Sequence, residues 1–162
     1  MTASSIPSRG RDIVGLVGQL LLVVLIAAAG RAINADAIPG WYATLNRPPI
    51  TPPNWLFGPV WTALYVMMAV GAWMVWRRVG LGHPALIAYW LQLALNLLWT
   101  MLFFGLQSPL LAGFEILALI AAIAFTIRGF AHVHPPAAWL LVPYLAWTSY
   151  AGVLTWWFWA IN

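Results

Sequence analysis

Trp41-Tyr42-Ala43-Thr44-Leu45-Asn46-Arg47-Pro48-Pro49-Ile50-Thr51-Pro52-Pro53-Asn54-Trp55 is the stretch whose reading decides the fold. It is polar, aromatic and proline-locked, whereas almost everything around it is apolar. Its prolines remove backbone donors and fix φ, so no long helix continues through it. Behind it lies the apolar run Ile13 to Gly30, and ahead of it the uncharged run Trp55 to Trp76, each long enough to cross a bilayer. The stretch therefore belongs to a long extramembrane loop, expected over residues 31–54, and the backbone there is irregular for a purpose.

The rest of the composition agrees. Of 162 residues, 64% are hydrophobic and 6% charged, against about 45–50% and 25% in soluble domains. A soluble fold of that make-up would lack the polar surface to cover its interior, so lipid must face its outside. Seven basic residues against three acidic ones give a net charge of +4, too few and too dispersed for a nucleic-acid surface. The absence of cysteine removes disulfides, thiolate metal sites and cysteine nucleophiles.

Outward from the loop, three more apolar runs follow. Ala85 to Gly105 comes after the turn Val79 to Pro84, Leu110 to Ile127 after Gln107-Ser108-Pro109, and Ala137 to Ile161 after Gly129 to Pro136. Arg77-Arg78 closes the second span and Arg128 the fourth. The expectation is an all-α polytopic membrane protein: a single domain built as a bundle of five transmembrane helices (13–30, 55–76, 85–105, 110–127, 137–161), with one long loop between helices 1 and 2. Arg9 and Arg11 ahead of the first run also fit a secretory signal, but that run is longer than the usual ~7–15 residues of a signal core, which favours a retained span. Arg9, Arg11, Arg77, Arg78 and Arg128 share one side of such a bundle, and Arg31 and Arg47 the other. The positive-inside rule then places the N-terminus in the cytoplasm and the proline-aromatic loop outward, as in a bacterial inner membrane.

Helical spacing sorts the candidate functional residues. Trp61, Tyr65, Met68, Ala72 and Trp76 share one face of the second helix, and Gln92, Asn96, Trp99 and Phe103 one face of the third. On the fifth, Pro143, Trp147, Tyr150 or Ala151, and Leu154 line up. Amides in hydrocarbon are costly unless bonded, so Gln92 and Asn96 should point into the bundle. A pocket of aromatic side chains with a few amides suits a flat, mostly apolar ligand. The same aromatics also fit packing or an interfacial belt, and the same amides fit helix-helix contacts.

Glu115 is the sole acid within a span, a functional candidate by position. A structural role, reaching the interface or pairing with a neighbouring helix, is the stronger expectation. His83, His132 and His134 fall in connections, with His132-x-His134 read as a solvated turn, so neither haem ligation nor a metal site is expected. No phosphate loop, carboxylate pair or Ser/His/Asp set is present, and no catalytic residue is assigned.

Three ordered motifs carry a resemblance. Trp41-Tyr42-x-x-Leu45-x-Arg47-Pro48-x-x-x-Pro52-Pro53 runs into Phe57 and Val60-Trp61-Thr62-x-Leu64-Tyr65. Gln92-Leu93-x-Leu95-Asn96-x-x-Trp99-x-x-x-Phe103-Phe104 and Pro143-Tyr144-x-x-Trp147-x-x-x-Ala151 follow. Together they resemble the TspO/translocator protein family, the tryptophan-rich sensory proteins related to the peripheral-type benzodiazepine receptor. The resemblance implies a five-helix bundle, often a homodimer, with a cavity under the first loop that takes porphyrins (protoporphyrin IX or haem-like tetrapyrroles) and benzodiazepine-type ligands. It implies Trp41, Tyr42, Pro52, Trp61, Asn96, Trp147 and Ala151 as cavity residues, and the helical faces add Tyr65, Gln92 and Trp99. No obligatory cofactor is implied.

The family associations are porphyrin and sterol transport or sensing, and light-dependent porphyrin breakdown. A receptor or translocator for tetrapyrroles is the leading expectation; a porphyrin-degrading activity and a membrane assembly partner are its rivals. There are departures as well. Leu154-Thr155 stands where the family has Leu-Asn, Pro49-Ile50 replaces the tryptophan before Thr-Pro-Pro, and no basic residue after Arg128 completes a sterol-recognition pattern.

Overall fold

The computed structural model describes residues 9–162, so expectations for Met1 to Ser8 lie outside it. Seven helical elements follow in order: α1 (Arg9–Ala37), α2 (Trp41–Thr44), α3 (Asn54–Val79), α4 (Pro84–Thr100), α5 (Pro109–Val133), α6 (Pro135–Trp139) and α7 (Val142–Ile161). A π-helical turn, Met101–Gly105, prolongs α4, closed by Leu106 N–H donating to the Met101 carbonyl at 2.8 Å. Among the described residues five helices are long and apolar enough to cross a membrane: Gly10–Ala37, Asn54–Val79, Pro84–Gly105, Pro109–Val133 and Pro135–Ile161. The all-α, five-span expectation holds.

Proline sets the helix starts. Pro84 and Pro109 stand in the first turns of α4 and α5, where a missing N–H costs nothing. The residue ahead of each supplies the cap: His83 Nδ1 accepts the Ala85 N–H at 3.2 Å and Ser108 Oγ accepts the Leu111 N–H at 3.4 Å. Gly80, at φ 75°, stops α3 in a conformation that other residues adopt at a cost.

The boundaries differ from the expected ones in three places, each for a local reason. Helix α1 runs through Arg31 to Ala37 rather than ending near Gly30, because a charge at the end of a span does not break a helix and the first proline is Pro39. The loop therefore shrinks to residues 38–53 and carries the short α2 within it. Helix α5 continues past Arg128 to Val133, so His132 lies in its last turn rather than in a solvated connection. Gly129 does not end that helix; a Cβ there would meet Ala85 Cβ at 3.2 Å, so glycine serves the close approach of α5 to α4. The fifth span is broken at Leu140 and Leu141, since Pro143 is accommodated in the first turn of α7 and not in a continuous helix.

The spans close into a ring: α1 packs on α3 and α4, α4 on α5, α5 on α7, and α3 on α6. At the centre lie Met68, Ala72 and Val75 of α3, Leu86 and Tyr89 of α4, Ile123 and Phe130 of α5, and Leu141 and Tyr144, all fully buried. Helix α1 joins the core through Val23 and is fastened near its start. At one end Asp12 pairs with Arg77 at 2.8 Å and its carbonyl accepts the Trp73 indole N–H at 2.9 Å. The tightest backbone approach on that side is α3 against α6, where a Cβ on Gly71 would sit 3.0 Å from Leu141 Cδ1 and 3.1 Å from the Ala137 carbonyl. Gly71→Val should therefore push these elements apart and destabilise the protein by about 1–3 kcal/mol, read as a lowered melting temperature in detergent.

Candidate ligand site

Two aromatic groups gather at the loop end of the bundle. The first stands between α3 and α7. Phe57 meets Trp147 with ring centroids 5.8 Å apart, Trp61 lies 5.5 Å from Tyr65 and 6.1 Å from Tyr144, and Trp147 touches Tyr150 at 5.8 Å. Helix α3 approaches the fifth span closely along α6, while farther toward the loop these rings hold α3 and α7 apart. The second group lies under α2. Trp99 stacks on Phe103 at 5.2 Å, Trp41 meets Phe103 edge-on at 5.6 Å, and Tyr42 packs on Phe104 and Phe158 at 5.6 and 5.5 Å. The π-helical turn is what presents Phe103 and Phe104 side by side to the loop.

The loop is latched across the top of α7. Asn46 N–H donates to Asn162 Oδ1 at 2.8 Å, Asn162 Nδ2 donates to the Asn46 carbonyl at 3.1 Å, and Asn46 Nδ2 donates to the Ile161 carbonyl at 3.3 Å. Farther along, the Tyr150 hydroxyl donates to the Ile50 carbonyl. Pro48 is buried between these two attachments. Burial raises the Tyr42 phenol above its usual range, and the Arg47 guanidinium over its ring, 4.9 Å from the centroid, partly offsets this.

The predicted residues divide between these groups. Trp61, Tyr65 and Trp147 belong to the first, Trp41, Tyr42 and Trp99 to the second. Asn96 joins the first through its Oδ1, which accepts the Tyr65 hydroxyl at 2.7 Å. Gln92 is fully buried one turn away on α4 and reaches Met68 Sδ at 4.0 Å. Ala151 is half-buried on α7, and Pro52 is half-buried in the loop just ahead of α3. An open groove of about 350 Å³ lies at the loop end, lined by Trp41, Leu45, Gln107, Pro109, Trp159 and Asn162 among others, and of the ten expected residues it includes Trp41 alone.

The profile of the TspO/MBR family matches residues 19–160. This chain belongs to the TspO/MBR family. It is 41% identical over 145 residues to the tryptophan-rich protein TspO of Archaeoglobus fulgidus, covering 88% of this chain and 94% of the relative. It is 40% identical over 126 residues to the translocator protein of Bos taurus, covering 75% of each. With the tryptophan-rich sensory protein of Cereibacter sphaeroides it shares 36% identity over 134 residues, 81% of this chain and 84% of that one. Family membership and five apolar helices make it an integral membrane protein.

Sequence reasoning missed several parts of this TspO/MBR site. Tyr144, fully buried, stood in the fifth-helix motif but not among the expected cavity residues, Phe158 was not singled out, and the latch from Asn46 to Asn162 spans 116 residues with no local signal. Glu115 is the clearest correction. It neither reaches the interface nor pairs: it is 9% exposed, and both carboxyl oxygens are buried without a partner in the protein. The antiparallel register fixed where Gly129 meets Ala85 sets Glu115 level with Trp99, whose indole nitrogen is also unpartnered. Gln92 Oε1, Tyr144 Oη and Thr148 Oγ1 are in the same state. Since a buried polar group without a partner costs about 1–3 kcal/mol, this seam is a standing source of hydrogen-bonding capacity in an otherwise apolar interior.

Two outcomes test the geometry. Tyr65→Phe strands the Asn96 amide oxygen and should lower stability by about 1–3 kcal/mol, measured by thermal denaturation in detergent. Asn162→Ala removes the latch at one side, and amide hydrogen exchange over residues 41–50 should accelerate about tenfold or more with little change in α4 and α5.

Proposed function

We propose that this TspO/MBR protein is a membrane receptor or translocator that takes porphyrins and similar flat apolar ligands between α3, α4 and α7, beneath the latched loop. The observation that carries the reading is the ring stack between α3 and α7. Two helices kept apart by side-chain rings can exchange ring-ring contact for ring-ligand contact with little backbone movement. A planar macrocycle is about as thick as the rings it would replace, and each aromatic face it covers contributes area burial and stacking. The buried polar seam supplies the few oriented hydrogen-bonding groups that such a pocket needs. The names of the relatives, translocator and tryptophan-rich sensory protein, support a role in moving or reporting the ligand.

Arg11, Arg77, Arg78 and Arg128 lie at one end of the bundle, and Arg31 and Arg47 at the other. On the positive-inside rule the first end is cytoplasmic and the loop faces outward, in a bacterial inner membrane. The exposed apolar rows, such as Leu91 and Leu98 of α4 and Phe114, Leu117 and Phe125 of α5, meet lipid or a second copy in a homodimer.

Titrating the purified protein with protoporphyrin IX should quench tryptophan fluorescence saturably. Trp147→Ala and Ala151→Phe should each weaken the apparent affinity by about tenfold or more. Non-saturable quenching, or quenching in both variants unchanged from the wild type, would overturn the reading.

A further inference from the structure

The chain has three acidic residues, and two of them are accounted for. Asp12 pairs with Arg77, and Asp36 is exposed near the end of α1. The third, Glu115, is 9% exposed and shares the inward face of α5 with the buried Ala112, Ile116 and Leu119. Neither of its carboxyl oxygens has a partner among the described residues. No base stands beside it: Arg128 is about 20 Å farther along the same helix, and Arg47 in the loop is exposed and turns its Nη1 to Asn54. Within a span such a carboxyl is unfavourable in either form. Ionised it lacks a counter-charge, and protonated it leaves a donor and an acceptor unused. The polar side chain at this level of α7 does not help. Close approaches of Gly113 to Trp156 and of Gly152 to Ile116 put Thr155 about level with Glu115, but the Thr155 hydroxyl donates to the Ala151 carbonyl at 2.8 Å.

Toward the loop the surroundings are aromatic. Trp99, at the same level on α4, stacks on Phe103, and Phe103 meets Trp41 and Phe158 with centroids 5.6 and 5.8 Å apart. Ala112, one turn from Glu115, packs in this same group. The open groove bordered by Trp41, Pro109 and Leu110 begins about 8 Å away along α5. An acid without a base, at the inner end of a ring-lined path, is the recognition chemistry of an organic cation: the carboxylate meets the charge, and the ring faces supply cation–π and stacking contact.

We propose that Glu115 and the aromatic group of Trp41, Trp99, Phe103 and Phe158 form a second binding site, for flat aromatic amines. The amine enters from the groove with its ammonium leading, and its ring system lies among the side chains beneath α2. An ammonium carries three donors, so it satisfies both unpartnered carboxyl oxygens through charge-assisted bonds. This site lies between α4, α5 and α7, apart from the ring stack between α3 and α7, so its failure would leave the porphyrin reading standing.

The test uses two probes with one ring system: 1-pyrenemethylamine, cationic at neutral pH, and the uncharged 1-pyrenemethanol. Saturable energy transfer from tryptophan to pyrene in a neutral detergent reports binding. The wild-type protein should bind the amine about tenfold or more tighter than the alcohol. Glu115→Gln keeps the side chain's size and removes its charge, and should bring the ratio to about one by weakening the amine alone. Thr155→Asn sets an amide donor against Glu115 and should also lower the ratio. Asp36→Asn, at an exposed acid, should leave it at the wild-type value. Circular dichroism and melting temperature confirm that the variants fold. Equal binding of the two probes by the wild type would sink the proposal. So would a loss of preference in Asp36→Asn as large as that in Glu115→Gln, since the amine would then be reading surface charge. If Glu115→Gln raises the melting temperature and leaves the ratio alone, Glu115 is satisfied by internal water and the proposal falls.

Discussion

In hydrocarbon the backbone has no water to bond, so each N–H and C=O must be satisfied within its own span. Every other feature of this protein follows from where that requirement is relaxed. Nine of the twelve prolines mark those places. Pro84, Pro109, Pro135 and Pro143 sit in the first turns of helices, where no donor is lost. Pro39, Pro48, Pro49, Pro52 and Pro53 fall in the one long segment that runs outside the spans. The longest irregular segment thereby lies at one end of the bundle, and there it is tied down by side chains instead of ladders: Asn162 and Tyr150 hold the loop.

The division of labour inside the bundle is equally physical. At one end glycine and alanine let elements touch, as at Gly71 against Ala137 and Gly129 against Ala85. Toward the loop, rings take over as spacers, with Phe57, Trp61, Trp147 and Tyr144 between α3 and α7. Close backbone packing resists rearrangement, since interiors are dense and poorly compressible. Ring-on-ring packing is more exchangeable. The protein thus combines a firm half that fixes the helices with a half whose contacts can be remade, and the polar seam of Gln92, Glu115, Tyr144 and Thr148 runs into the region where the change is easiest.

Much of this was legible in the chain. Length, apolarity and proline positions determine five spans and one loop, because those signals are local and act on each segment independently. Helical spacing correctly grouped Trp61 with Tyr65, and it set Asn96 on the inward face of α4, where Tyr65 reaches it. What was not legible depends on distance in sequence or on competition between local signals. Arg31 and Arg128 looked like the ends of spans because charge was weighed above helix continuity, and the role of Gly129 was hidden because its packing partner, Ala85, is remote. Glu115 looked as if it would find a partner, since a buried acid usually does; the burial was foreseeable from its place in the span, the solitude was not. The open groove beside Trp41 and Trp159 is a packing outcome that no motif encodes.

The bond pair between Asn46 and Asn162 joins positions 116 residues apart. Topologically it turns four of the five spans into a closed circuit, with the loop as its clasp. A disturbance at the far end of α7 is then carried to the loop without passing through the bundle, because the two are the same joint. Anything attached at residue 162, whether a reporter dye or a fusion partner, acts on the clasp directly. The lower face of the protein, where Asp12 and Arg77 meet, offers a quieter place to attach a label.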